Sequence, residues 1–257
     1  MPIITPTNKS VTTFTGLHLY HAPFYNCAMR VRIALAEKKL QWTSHLIDLS
    51  KGEQRTKEYL GINPNGVVPT LVDEGVVIID STDIIDYLDA TYEPNSLRPD
   101  TEAEQQAMYD WMHMARDNHL SIKTYMYYQL GVTGLSEAVL AEYRKNQTYD
   151  KALLEFHEHR SQHGFSQTDI DTATAVLNDC FAKMDARLKD HDWLAGDDFS
   201  LADITWIPQL VVLNKAGYPF AQYRHFECWK NAVMARPSFK QAVTDWLKLG
   251  QPENHNN

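Results

Sequence analysis

Three short stretches of the chain carry residue types able to handle a small charged ligand. In "YHAPFYNCAMR", Tyr25, Asn26 and Cys27 stand where a strand ends and a helix begins. Hydroxyl, amide and thiol groups beside the N–H donors of a first helical turn suit an anion such as a thiolate. In "NPNGVVPTLVDEG", Pro69 follows Val67 and Val68. The residue before a proline is held extended, and a cis bond there would turn the Val68 N–H and C=O outward toward a ligand. At Asp80-Ser81 a strand again yields to a helix, with Ser81 as a plausible N-cap. The helix start favours a carboxylate or phosphate and the Asp80 side chain an ammonium, so a zwitterionic amino-acid end suits both. Each stretch also has a purely structural reading. Asn26 and Ser81 cap helices, Tyr25 packs on the surface, Cys27 is a small buried hydrophobe, and Pro69 starts an edge strand.

The elements that must position these residues follow from periodicity. "LHLY" reads as a strand, "NCAMRVRIALAEKK" as a helix, "QWTSHLIDL" as a strand and "QRTKEYLGI" as a short helix. "VVPTLV" and "VVIID" then form a hairpin about a three-residue linker, Asp73-Glu74-Gly75, and "STDIIDYLDATY" is a helix. The order β-α-β-α-β-β-α predicts a four-stranded α/β domain over residues 17–93. After the polar linker "EPNSLRPD", strand signals stop. Met108, Trp111, Met112 and Ala115, and later Leu177, Phe181, Met184 and Leu188, recur at helical spacing, which predicts an all-α domain over 101–250. Within it, roughly 131–166 reads as an extra insertion of one or two helices with a charged outer face. In "FSLADITWIPQL", Ser200 and Asp203 make a capping box and Pro208 is expected to kink the helix that follows.

The 257 residues, 44% of them hydrophobic, can bury a substantial core. A formal net charge of −9 counts against nucleic acid as a main partner. Cys27, Cys180 and Cys228 are an odd number at long spacings, which argues against a disulfide framework or a metal site and for a reducing compartment. No apolar run approaches the roughly 18 residues of a membrane span, and the N-terminus lacks a signal-peptide pattern. The expectation is a cytoplasmic protein with no membrane partner.

Taken in order, "RVRIALAEKKL", "NPNGVVPTLVDEG", "DSTDIIDYLD" and "WLAGDDFSLADI" resemble the soluble glutathione transferases, from about Leu17 to the end of the helical part. The extended "KGEQRTKEYLGINPNG" is most similar to the theta, delta and zeta groupings. The resemblance implies a thioredoxin-like N-terminal domain that binds glutathione as co-substrate and an all-helical C-terminal domain that receives the electrophile. It implies a cis Pro69, Val68 backbone groups pairing with the cysteinyl unit, Asp80 and Ser81 holding the γ-glutamyl end, and Gln54 with Lys51 approaching the glycyl carboxylate.

The same resemblance implies that a hydrogen bond to the glutathione sulfur lowers its pKa from a free-thiol value of about 8.5 toward neutrality. The position that holds Ser in theta and delta types and Cys in omega types is Tyr25, with Asn26 beside it. Tyr20, which alpha, mu and pi types would suggest, and Cys27 are the other candidates. Val67 stands where Lys or Gln is frequent and Gly66 where delta types have His. The long helical part and Asn26 near the thiol are similar to bacterial members that cleave β-aryl ethers of lignin fragments. Trp111, His119, Tyr125 and Tyr128 would then line an aromatic electrophile's pocket, although a core stripe explains Trp111 equally. Glutathione-dependent β-aryl ether cleavage is the leading chemistry. Conjugation, dehalogenation and, in a different class, a non-catalytic interaction module of the same fold are the alternatives. The resemblance also implies a dimer, homo- or heterodimeric.

Overall fold

The computed structural model describes residues 3–146 and 151–249, which fall into two compact units. The first takes in the chain up to Asn63, Val67–Arg98 and the stretch from Asn231; the second takes in Pro64–Gly66 and Pro99–Lys230.

The first unit is built on five strands: β1 (Ile3–Ile4), β2 (Leu17–His21), β3 (Trp42–Leu46), β4 (Thr70–Asp73) and β5 (Val76–Ile79), ordered β1-β5-β4-β2-β3. Only β2 and β3 are parallel, and helix α1 (Asn26–Glu37) is the crossover such a pair requires. The four expected strands are present. β1, too short for any periodicity to show, adds a fifth by pairing antiparallel with β5.

Register decides the two faces of this sheet. Leu19, Leu71 and Ile78 stand across from one another and are fully buried. Each such side chain contributes roughly 1.5–3 kcal/mol by leaving water. Their face is covered by α1 and α3 (Ser81–Thr91): Arg32 of α1 reaches His21, and Tyr87 of α3 donates to Asp73. The opposite face gathers Val11, Val72, Val77 and Ile79 with Ile62, which lies just past the short helix α2 (Lys57–Leu60).

The hairpin differs from the expected three-residue linker. Asp73 pairs with Val76, so the loop is Glu74-Gly75 alone, with φ of 47° and 80°. Two positive φ values are what a type I′ turn demands. A Cβ on residue 75 would also lie 2.5 Å from the Thr12 carbonyl oxygen, so only glycine fits. Asp73 belongs to the strand because its buried carboxylate accepts both the Tyr87 and Tyr92 hydroxyls at 2.8 Å.

The second unit is helical: α4 (Glu102–Asp117), α5 (His119–Gln129), α6 (Glu137–Asn146), α7 (Lys151–His163), α8 (Gln167–Arg187) and α9 (Leu201–Lys215), with α10 (Arg224–Ala235) following. Both predicted stripes are buried, and Phe181 is ringed by Trp206, Tyr218, Phe220 and Phe226. The region near 131–166 forms α6 and α7, with Arg144 bridging Glu137 and Glu158 on its charged side; residues 147–150 of that reading lie outside the described residues. Ser200 and Asp203 form the expected capping box, and Asp203 further accepts from the Leu194 N–H and the Trp229 indole at 3.1 and 2.8 Å. Pro208 sits buried inside α9.

The stretch after α10 runs through Pro237–Phe239, a π-helical turn at Lys240–Thr244 and Asp245–Leu249. It joins the first unit because Arg236 and Ser238 grip Glu37 of α1, and Trp246 packs edge-on against His21 and stacks on Trp42. Among the described residues no helix is long and apolar enough to cross a membrane.

Candidate functional site

The loop joining β2 to α1 delivers Tyr25 and Asn26 to the helix start. Tyr25 is the N-cap residue in extended backbone, its carbonyl accepting from the Met29 N–H at 2.9 Å and its side chain 46% exposed. Asn26 is the first helical residue. Its Oδ1 accepts from the Cys27 N–H at 2.9 Å, and the same amide carries an NH2 end. That end is a pure donor, the polarity a thiolate needs. Cys27 is a half-buried free thiol. Tyr20 lies elsewhere: it stacks on His45 at 4.4 Å and meets Tyr59 edge-on. Burial raises its phenol pKa, and it lines a groove of about 670 Å³ with Asn8, Ile47 and Glu58 in which neither Tyr25 nor Asn26 takes part.

The Val68-Pro69 bond is cis. The preceding loop is pinned from below: the Val67 carbonyl accepts from the Tyr59 hydroxyl at 2.6 Å and from the Asn63 amide at 3.0 Å. Both partners also meet the Thr70 hydroxyl at 2.9 Å. Among the described residues neither the N–H nor the C=O of Val68 has a hydrogen-bond partner. Tyr59, itself buried, is thus the post on which this loop rests, and Tyr59→Phe is expected to lower unfolding free energy by about 1–3 kcal/mol in urea titration, since the half-buried Val67 carbonyl loses its shortest bond.

At the third stretch the structure corrects the assignment of the cap. Asp80, not Ser81, is the N-cap of α3: its φ of 67° bends the chain so that its carboxylate accepts from the Thr82 N–H at 2.8 Å. Ser81 becomes the first helical residue, with its buried hydroxyl accepting from Arg30 Nη1 at 2.8 Å. Arg30 also reaches Thr82 Oγ1 at 3.1 Å. A carboxylate docking here meets helix N–H groups and, through Ser81, a buried guanidinium.

The loop after β3 supplies the remaining groups. Gln54 lies buried in the turn Glu53–Arg55, and among the described residues its Oε1 has no hydrogen-bond partner. A buried orphan amide is costly unless a ligand satisfies it, so this atom fits a peptide end presenting an N–H beside a carboxylate. Lys51 is exposed and pairs with Asp48 at 3.1 Å. Hydrogen bonds from Ser50 and Lys51 hold the Asp48 carboxyl down at about 2.

Every residue named so far in this site belongs to the first unit. The four expected to meet an electrophile belong to the second. Trp111 is buried, with its carbonyl accepting the Trp206 indole N–H at 3.0 Å. Tyr125 is buried edge-on to Tyr218 at 5.3 Å, and burial raises its phenol pKa. His119, half-buried, opens α5, and Tyr128 is 44% exposed. Arg30, Tyr59 and Asn63 were missed from sequence, because an arginine in a helix and a polar residue beside a turn read as solvent-facing. Among the described residues no group of His, Cys, Asp or Glu is arranged to hold a metal ion.

Two family models match the chain: the glutathione S-transferase N-terminal domain over residues 19–96 and the glutathione S-transferase C-terminal domain over 137–237. Glutathione S-transferase 1 of Dianthus caryophyllus is 27% identical, over 82% of this chain and 89% of its own length. Protein LigF of Sphingobium sp. is 27% identical, over 80% of this chain and 85% of its own. The crystal structure of β-etherase LigF from strain SYK-6 superposes with a TM-score of 0.75 at 26% identity, covering 91% of this chain and all of that one. With both domains matched and the thioredoxin-like and helical units in place, this chain belongs to the soluble glutathione transferase superfamily, whose co-substrate is glutathione.

Proposed function

We propose that this protein is a glutathione transferase that cleaves β-aryl ethers. The observation that carries the reading is the Asn26 amide. Its oxygen accepts from the Cys27 N–H, which fixes the amide at the start of α1, and its NH2 end is a donor of the polarity a sulfur anion needs. In the reading, the Val68 N–H and C=O pair with the cysteinyl backbone, while Asp80 takes the γ-glutamyl ammonium and Ser81, backed by Arg30, its carboxylate. Gln54 takes the glycyl end, with Lys51 exchanging its Asp48 partner for that carboxylate. Asn26, with the Tyr25 hydroxyl beside it, holds the sulfur as thiolate.

The thiolate attacks the carbon that carries the aryl ether oxygen. A C–S bond forms, the C–O bond breaks, and the electron pair leaves on the aryloxide, which takes a proton from solvent. No oxidant or reductant is needed. Similarity to LigF over nearly the whole of both chains supports the ether as electrophile, and the rings of Trp111, Tyr125 and Tyr128 with His119 are assigned to it. A homo- or heterodimer is the proposed assembly.

Calorimetry with glutathione, followed by mass spectrometry of a β-aryl ether incubated with enzyme and glutathione, tests the reading. Binding together with a glutathione thioether and free phenol is the expected result. Absence of binding at millimolar glutathione would favour an interaction module instead. Ser81→Ala is expected to raise KM for glutathione about tenfold with kcat little changed, because the γ-glutamyl contact is the same in ground and transition states.

A further inference from the structure

Arg32 is buried in α1 and spends its hydrogen bonds on neutral acceptors. Nε donates to the Ala242 carbonyl at 2.9 Å, Nη1 to His21 Nδ1 at 3.2 Å and to the Ala22 carbonyl at 3.3 Å, and Nη2 to the Pro23 carbonyl at 2.8 Å. The Trp246 ring lies over its carbon at 5.0 Å. Among the described residues it forms no ion pair. Since guanidinium only donates, His21 Nδ1 must accept, and the proton on Nε2 goes to Ser44 Oγ at 2.8 Å. The imidazole is therefore neutral, in keeping with a pKa pushed down to about 3 by burial, then by Arg32 and His45. Burial also lowers Arg32 itself, to about 9, which leaves it a cation at neutral pH.

The carbonyls it grips are the second and third before Tyr25. Two residues span at most about 7 Å, so a positive charge with no counter-ion stands within roughly 10 Å of the start of α1. The other charged groups around it are already committed: Glu37 of α1 to Arg236 and Ser238, and Asp245 to Lys240 and Lys248. His45 of β3 shares its ring contact with His18. Among the described residues no carboxylate pairs with the guanidinium.

We propose that Arg32 is a positioning residue for the thiolate site: its fork fixes the loop that presents Tyr25 and Asn26, and its unneutralised charge makes the glutathione sulfur more acidic. The inference rests on the reading that glutathione is activated at Tyr25 and Asn26. A charge at about 10 Å through an effective dielectric of about 20 moves a pKa by roughly one unit. A lysine would keep the charge but cannot hold three carbonyls in the planar geometry of the fork.

The test is a pH titration of the thiolate ultraviolet absorbance of the glutathione complex, with kcat and KM profiles, for wild type, Arg32→Met and Arg32→Lys, alongside thermal melts. Arg32→Met is expected to raise the thiolate midpoint by about one unit, a tenfold loss of kcat/KM below the midpoint that closes at high pH. Arg32→Lys should keep the wild-type midpoint and lose about tenfold in kcat. A wild-type midpoint in Arg32→Met, or wild-type kcat in Arg32→Lys if the methionine variant does not fold, overturns the inference while the glutathione reading stands. No thiolate band in wild type at saturating glutathione removes both.

Discussion

Asn26→Ala is expected to lower kcat/KM for the glutathione-dependent reaction by about two orders of magnitude, and Tyr25→Phe by about tenfold, with glutathione affinity changed severalfold at most. A single preorganised donor aimed at a developing or persistent anion is worth about 10²–10³ in rate. Asn26 is preorganised because the Cys27 N–H fixes its amide, whereas Tyr25 is 46% exposed. Steady-state kinetics across pH 6–9 would show the loss concentrated at low pH, where the weakened site leaves the sulfur protonated. If both variants turn over like wild type, the thiolate donor lies elsewhere. Cys27 on the same helix is then the next group to change, because Tyr20 is held in the aromatic stack with His45 and Tyr59.

Asp203→Ala carries the second large effect, this time on stability. Its carboxylate is fully buried and accepts from the Leu194 N–H, the Ser200 N–H and hydroxyl, and the Trp229 indole. Removing it strands several buried donors at once, at an expected cost of about 3–5 kcal/mol. Burial, only partly offset by the Trp229 hydrogen bond and the others, raises the Asp203 pKa from 3.8 to about 6. The folded protein therefore binds this proton more tightly than the unfolded chain does. The stability it contributes is fully present below about pH 4 and is lost as pH rises toward 6. The alanine variant lacks that slope, so its deficit relative to wild type should shrink between pH 4 and pH 6. Denaturant titrations at the two pH values measure both parts.

The fold was legible wherever periodicity or turn chemistry spoke locally. Strand patterning placed β2 to β5, helical spacing placed α4 and α8, and Pro69 marked the start of β4, which pairs on both sides and so is not the edge strand that the proline alone suggests. Contacts made at a distance were silent. Ser81 and Asp80 are equally good capping types, and only the positive φ of Asp80 decides between them. Nothing local in α1 marks Arg30 and Arg32, yet both are buried, Arg30 donating to Ser81 at the start of α3, 51 positions on, and Arg32 to the Ala22 carbonyl 10 positions back. Trp111 and Tyr125 stand out in an aromatic-rich stretch, a composition that a pocket wall and a packed interior share, and in the second unit both residues are buried.

The two-residue strand β1 has a bearing on how the chain reaches this state. Val76-Val77-Ile78-Ile79 is uncharged and β-branched throughout, the composition of a segment prone to intermolecular pairing when its edge is open. Ile3 pairs with Ile78, so the cover comes from a segment 75 positions away in the chain (78 − 3). A contact of that span closes late, after the local hairpin. Until it does, nascent molecules offer one another a sticky strand, and slow refolding at high protein concentration is where losses to aggregates would be found.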